Sequence, residues 1–281
     1  MASPPLPTDT APGPQRLLQE VARIIRLAGV LVMEVYARGP AAARHKADAS
    51  PVTQADERAE ALIVPALQRL LPGVPVVAEE AMAAGHAPQE DALARHGRFW
   101  LVDPLDGTRE FLARNGEFTV NIALVQQGTP VLGAVLAPAA APGGVLYLGV
   151  VGQGAWRSLG EGALVPIHVR PEPIEGLTLV SSRSHGDEAA LAAFVAQHLP
   201  GRRMASPRTA GSSLKFCLLA SGQADLYPRL GRTMEWDTAA GHAVLAAAGG
   251  QVLTLEGGPL RYGKPGFENP HFVAWGSGRV A

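Results

Sequence analysis

One cysteine in 281 residues sets the first limit on this chain. A lone thiol, Cys217 in "LKFCLLA", can build neither an internal disulfide nor a multi-thiolate zinc site. Among apolar neighbours it reads as a buried core residue. Aromatic residues are scarce at 5%, so the interior must be made largely of Ala, Val and Leu. An excess of either charge is also missing: 24 basic against 25 acidic residues leave a net charge of -1. That balance excludes the basic stripe a nucleic-acid-coating protein needs, but leaves room for a local pocket for one small phosphate ester. Residues 118–156 carry no charged side chain, yet Pro138, Pro142 and Gly143-Gly144 cut this run into pieces too short to span a bilayer as a helix. The opening "MASPPLPTDTAPGPQ" lacks the basic and apolar regions of a secretory leader, and its prolines predict a disordered tail over residues 1–14. The expected setting is cytoplasmic.

What is present suffices for two ordinary domains or one large layered one, with 47% hydrophobic residues against 17% charged. From Gln15 to Tyr36 apolar residues (Leu17 to Val35) recur at helical spacing, and they do so again over residues 54–70. "PVVAEE" and "RFWLVD" read as strands that end on acid. "EFTVNIALVQQGTPVLGAVLAP" reads as two strands about a Gly-Thr-Pro turn, and "GVLYLGVVGQGAW" as further strand. After a boundary near "RSLGEGALVPIHVRPEP", strands and helices alternate, and "DTAAGHAVLAAAGG" is a helix with a Gly-Gly stop. The expected layout is an α/β chain with domains at 15–165 and 166–281.

Chemistry gathers at "WLVDPLDGT". The apolar strand delivers Asp103 to the end of a buried sheet, Pro104 is expected to turn the chain out of the ladder, and Thr108 is a good N-cap for a following helix. In such a turn Asp103, the Leu105 carbonyl and Asp106 can face one point, together with free N–H groups after Gly107. Ordinary turn chemistry accounts for the same residues. Two other stretches bring acids of their own: Glu79 and Glu80 end an apolar strand, and Asp237 opens a helix, where capping alone would explain it. Were Glu79, Asp103, Asp106 and Asp237 to converge, each like-charged pair near 4 Å would cost about 4 kcal/mol at an effective dielectric of 20. Divalent cations would be needed, and an all-oxygen donor set favours Mg²⁺. Spacing alone leaves the convergence open.

The pieces "SPVTQAD", "VVAEE", "LVDPLDGT" and "EWDTAAGHAV", in this order, resemble the inositol monophosphatase-like, lithium-sensitive phosphatase superfamily. "KADASPVT", "RNGEFTVNIALV", "SSRSH" and "GSSLKFCLLASGQADLYPR" look like its CysQ-type bisphosphate nucleotidase branch. The resemblance implies a five-layered αβαβα sandwich and Mg²⁺-dependent removal of the 3′-phosphate of 3′-phosphoadenosine 5′-phosphate, with two or three ions per site. It implies metal ligation by Glu79, Asp103, Asp106, Asp237 and the Leu105 carbonyl, with Glu80 outside the ligand set. Gly107 and Thr108 would lie under the departing phosphate, and Asp56 with Thr108, assisted by Glu79, would orient and deprotonate water. His185 near the adenine, and Ser212, Lys215 and Arg229 near the remaining phosphate and ribose, complete the implied site. Read by themselves, Lys215 is equally a snorkelling helix residue and His185 a surface turn residue. Ala81 departs from the Ser, Thr or Asp common after the glutamate pair, which leaves the ligands intact. The same metal site could instead serve inositol monophosphate or another sugar phosphate, or a protein that binds without turnover. A monomer or homodimer acting on a small molecule is expected, with no transmembrane segment, and association with the inner face of a membrane is left open.

Overall fold

A computed structural model describes residues 13–39, 44–45, 51–86, 93, 97–182 and 188–277. Residues 1–12 of the expected tail, and His185, lie outside the described residues. In chain order the elements are α1 (Pro14–Ala37), β1 (Arg44–His45), β2 (Pro51–Val52), α2 (Gln54–Leu70), β3 (Val76–Ala78), α3 (Glu79–Ala83), β4 (Arg98–Asp106) and α4 (Thr108–Leu112). There follow β5 (Thr119–Gln126), β6 (Thr129–Ala137), β7 (Val145–Val150), β8 (Gly154–Leu159), β9 (Val165–Ile167), β10 (Val180–Ser182), α5 (Glu188–His198) and β11 (Arg208–Ala210). The chain closes with α6 (Leu214–Ala220), β12 (Leu226–Arg229), α7 (Glu235–Ala247), β13 (Gln251–Thr254) and β14 (Phe272–Trp275).

The uncharged run over residues 118–156 becomes four antiparallel strands, β5 to β8, at the heart of a seven-stranded sheet of order β3-β4-β5-β6-β7-β8-β9. Among the described residues no helix is long and apolar enough to cross a membrane. The β5–β6 hairpin turns at Gln127-Gly128, both with positive φ (50° and 72°), as a tight two-residue hairpin requires. Thr129 and Pro130, expected in the turn, instead open β6.

Five layers follow, as the family resemblance implied. The apolar stripes of α1 and α2 (Val21, Ile25, Val32, Ile63, Leu67) bury against one sheet face with Trp100, Val102, Ile122 and Leu136. The opposite face is covered by α6 and α7, and a second sheet, β12-β14-β13, lies on their far side through Tyr227, Val252 and Phe272. Helix α5 packs Phe194 outside that sheet, against Leu226, Val273 and Trp275. Helix α7 lies unusually close to the large sheet because its contact positions are small. A Cβ at Gly149 would come within 2.6 Å of Val244 Cα, and one at Gly133 would collide with the Ala240 carbonyl. Helix α7 therefore carries residues of the second half of the chain onto the sheet of the first half, while residue 165 falls at the start of β9. Cys217 is fully buried in this central layer, and desolvation pushes its thiol pKa up.

Candidate active site

Strands β3 and β4 are parallel, with Ala78 opposite Val102. The residues that follow, Glu79 and Asp103, therefore leave the carboxyl ends of neighbouring strands side by side. Pro104 does not end the strand as expected. Between the Asp103–Asn121 and Asp106–Thr119 pairs, β4 carries one extra residue, so the missing proline N–H is absorbed by a bulge. Asp103 Oδ1 accepts the Leu105 N–H at 3.0 Å, an Asx turn that sets the bulge.

Gly107 then takes φ 90° and ψ 43°, and it, not Thr108, caps α4. No other residue fits there, since a Cβ would strike the Ser212 hydroxyl. Released from capping, Thr108 Oγ1 lies 3.3 Å from the Leu105 carbonyl and 3.4 Å from Asp56 Oδ1. Asp56 stands in the first turn of α2, where its Oδ2 accepts the Thr53 N–H (2.8 Å) and hydroxyl (2.7 Å), leaving Oδ1 turned to Thr108. Burial, reinforced by the charge of Glu79, pushes the Asp56 pKa up to about 6.

Asp237 comes from the start of α7, where its Oδ2 accepts the Met234 N–H at 2.8 Å. Capping is thus part of its role, and the rest of it faces the other acids. Glu79, Asp103, Leu105, Asp106, Gly107, Thr108 and Asp237 line one cavity of about 260 Å³. Burial first, then the charges of Glu79, Asp106 and Asp237, hold the Asp103 pKa well above the carboxylate range. Asp237 is raised likewise by burial and by Asp106 and Glu79. Asp106 is raised by burial and partly relieved by Lys215 and Ser213. Among the described residues, no three His, Cys, Asp or Glu side chains form a ready-made metal cage. The acids are within reach of each other's charge without sharing one closed shell. A donor set of four carboxylates and one carbonyl, all oxygen, with mutual repulsion to relieve, fits a hard divalent cation.

Four cations line the same cavity, Arg109, Lys215, Arg229 and Arg232, with Lys215 close enough to Asp106 and Arg229 close enough to Asp237 to offset their charge. Lys215 is 4% exposed, and two of its ammonium protons are taken by the Ala210 (3.2 Å) and Ser212 (2.7 Å) carbonyls, leaving one for the cavity. Burial lowers its pKa to about 8. It is not the snorkelling residue its helix position allowed. Arg229 is anchored through Nη2 to the Arg232 carbonyl at 2.9 Å. Ser212 places its hydroxyl 2.8 Å from both the Asp106 and Glu117 carbonyls, bracing the Gly107 turn.

The sequence matches the inositol monophosphatase family over residues 15–276. The chain belongs to that family. The 3′(2′),5′-bisphosphate nucleotidase CysQ of Escherichia coli (strain K12) is 44% identical over 258 residues, spanning 91% of this chain and 98% of that protein. The crystal structure of CysQ from Bacteroides thetaiotaomicron superposes with a TM-score of 0.78 at 36% identity, covering 94% of this chain and 98% of that one. An inositol monophosphatase from Anabaena (Nostoc) sp. PCC 7120 shares the fold, with a TM-score of 0.70 at 24% identity over 94% of this chain and 91% of that one.

In this inositol monophosphatase family member, sequence reasoning passed over several residues that line the cavity or hold its acids. Asn121 Nδ2 reaches both Ser213 Oγ (3.1 Å) and Asp106 Oδ2 (3.4 Å), and Ser213 Oγ donates to the Asp237 carbonyl at 2.7 Å. Arg109 and Arg232 join the cations that line it. Polar Asn121 inside an otherwise apolar strand was the available signal.

Proposed function

We propose that this protein is a Mg²⁺-dependent 3′(2′),5′-bisphosphate nucleotidase that hydrolyses the 3′-phosphate of 3′-phosphoadenosine 5′-phosphate to AMP and phosphate. The observation that carries the reading is one cavity lined by both the four candidate ligands, Glu79, Asp103, Asp106 and Asp237, and four cations, Arg109, Lys215, Arg229 and Arg232. A substrate with two separated phosphates matches that lining, since one phosphate can approach the acids through metal while the other meets the cations directly. The 44% identity to nucleotidases across nearly their full length supports the same choice over inositol phosphates.

In this reading Glu79, Asp103, Asp106, Asp237 and the Leu105 carbonyl hold two or three Mg²⁺ ions. When bound, Mg²⁺ neutralises phosphoryl oxygens and makes water acidic enough to attack in line. Asp56 Oδ1 and the Thr108 hydroxyl orient the attacking water, and Asp56, with a pKa lifted to about 6, accepts its proton. Glu79 assists from the adjacent strand end. Gly107 leaves bare backbone for the departing phosphate, and the first N–H groups of α4, which have no acceptor within the helix and no side-chain cap from Gly107, are free to serve it. Lys215, Arg229 and Ser212 serve the remaining phosphate and the ribose, and His185 is assigned to the adenine. Li⁺ is expected to inhibit, since it is small enough for a Mg²⁺ position but carries half the charge. The proposed setting is cytoplasmic, as a monomer or homodimer.

A substrate panel with released phosphate measured in Mg²⁺ tests the proposal. The bisphosphate nucleotide is expected to be turned over far faster than inositol monophosphate or sugar phosphates. Preference for a sugar phosphate would replace the substrate assignment, and tight binding without release would replace the enzyme assignment.

A further inference from the structure

Helix α3 begins at Glu79, and the first N–H groups of any helix have no acceptor within it. No side chain caps α3 from its own N-cap, Ala78. Two of the orphan donors are instead met from α2. The Glu60 carboxylate takes the Glu80 N–H on Oε2 and the Ala81 N–H on Oε1, each at 2.8 Å. Both oxygens are used, one per amide, and Glu60 is 9% exposed.

Glu60 lies four residues after Asp56, so the two carboxylates share one face of α2. Asp56 reaches across to Thr108 after β4, while Glu60 reaches the start of α3 after β3. One rigid helix face therefore braces both strand ends of the cavity.

We infer that Glu60 is a positioning residue for Glu79, clamping the first turn of α3 through two backbone amides and fixing where the Glu79 carboxylate meets the metal. This rests on the metal-site reading above. It uses geometry that the side chain supplies only with two acceptor oxygens. Glu60→Gln keeps the volume but offers one acceptor and presents an NH₂ to the other amide, so half the clamp is lost and a donor faces a donor. Glu60→Asp keeps both oxygens on a stem too short by one methylene.

The test has three readouts. In the wild-type protein, hydrogen exchange should show the Glu80 and Ala81 amides protected with and without Mg²⁺, although neither has an intrahelical acceptor. In Glu60→Gln and Glu60→Asp, Mg²⁺ concentration for half-maximal thermal upshift should rise about tenfold, the loss expected for one charge-assisted hydrogen bond. In turnover, the Mg²⁺ requirement should rise by a similar factor, while KM for nucleotide at saturating Mg²⁺ stays within about twofold. Rapid exchange at both amides in the wild type overturns the clamp, whether or not either variant folds. Protected amides with an unchanged Mg²⁺ requirement in a folded variant overturn the positioning role and leave a helix cap. An inactive wild type that still shows Mg²⁺ upshift and its tenfold change would sink the nucleotidase reading but keep this one.

Discussion

Thr108 Oγ1 stands 3.4 Å from Asp56 Oδ1, a contact between the first residue of α4 and the first turn of α2 across 52 positions of sequence. It joins a hydroxyl that Gly107 has freed from capping to a carboxylate that Thr53 holds on its other oxygen. In the proposed mechanism, proton transfer from water requires both partners. Thr108→Ala and Asp56→Asn are therefore each expected to lower kcat by roughly 10²- to 10⁴-fold with little change in KM. The double variant should lose no more than the worse single, because the two act as a unit. Additive losses in steady-state kinetics would show that they work separately.

Asp103 concerns stability as much as turnover. It is 1% exposed, and burial with the charges of Glu79, Asp106 and Asp237 raises its pKa. Between the unfolded and folded pKa values the folded protein binds more protons than the unfolded chain, so each rise in pH through that window costs stability. Asp237, Asp106 and Asp56 act in the same direction. Without divalent cation, Asp103→Asn should raise Tm at pH 7.5 while abolishing activity. With Mg²⁺ the order should reverse, because only the wild type gains the full binding energy. Thermal melts at both conditions check the crossing.

In the proposed function the cationic side chains set selectivity. Lys215→Ala with Arg229→Ala removes two charges that line the cavity beside the carboxylates. Nucleotide hydrolysis should fall by about 100-fold or more in kcat/KM, since hydrogen bonds to charged groups contribute about 1.5–3 kcal/mol each. Hydrolysis of a simple sugar phosphate should fall far less. Equal losses on both substrates would place these residues in support of the turn rather than on the second phosphate.

How far the sequence revealed all this depends on whether a residue's role is local. The helical spacing from Leu17 to Val35 foretold α1, which begins one residue before the expected start with Pro14 inside its first turn, where its missing N–H costs nothing. The acids at strand ends were legible because apolar runs stop on them. The bulge at Pro104-Leu105 was not, since a proline normally ends pairing and only the continuing β5 partner holds Asp106 in the sheet. Thr108 looked like a cap because Ser and Thr favour that position. The αL geometry of Gly107 took it instead. Glu60 left no trace of its role, because its partners are backbone amides 20 and 21 residues away. Its spacing from Asp56 was visible, but spacing names no partner.

A last consequence lies behind the site, in α7. His242 is 8% exposed and its Nδ1 is 3.0 Å from the Tyr262 hydroxyl, which in turn donates to Thr238 Oγ1 at 3.3 Å. With the tyrosine proton committed to Thr238, Nδ1–H of a neutral imidazole is the donor to Tyr262. Burial depresses the His242 pKa to about 3. The unfolded chain therefore takes up a proton near pH 6.5 that the folded protein refuses until about pH 3, and stability falls as pH drops through that window. At pH 5 this one group costs about 2 kcal/mol relative to neutral pH. His242→Asn keeps a donor in the Nδ1 position and cannot protonate. Urea unfolding of both proteins, whose shared carboxylates cancel in the difference, should show the variant less stable than wild type at pH 7.5 by its lost packing. That gap should close by about 2 kcal/mol at pH 5. A gap that stays constant between the two pH values would mean that the imidazole charges as freely in the folded protein as in the unfolded chain.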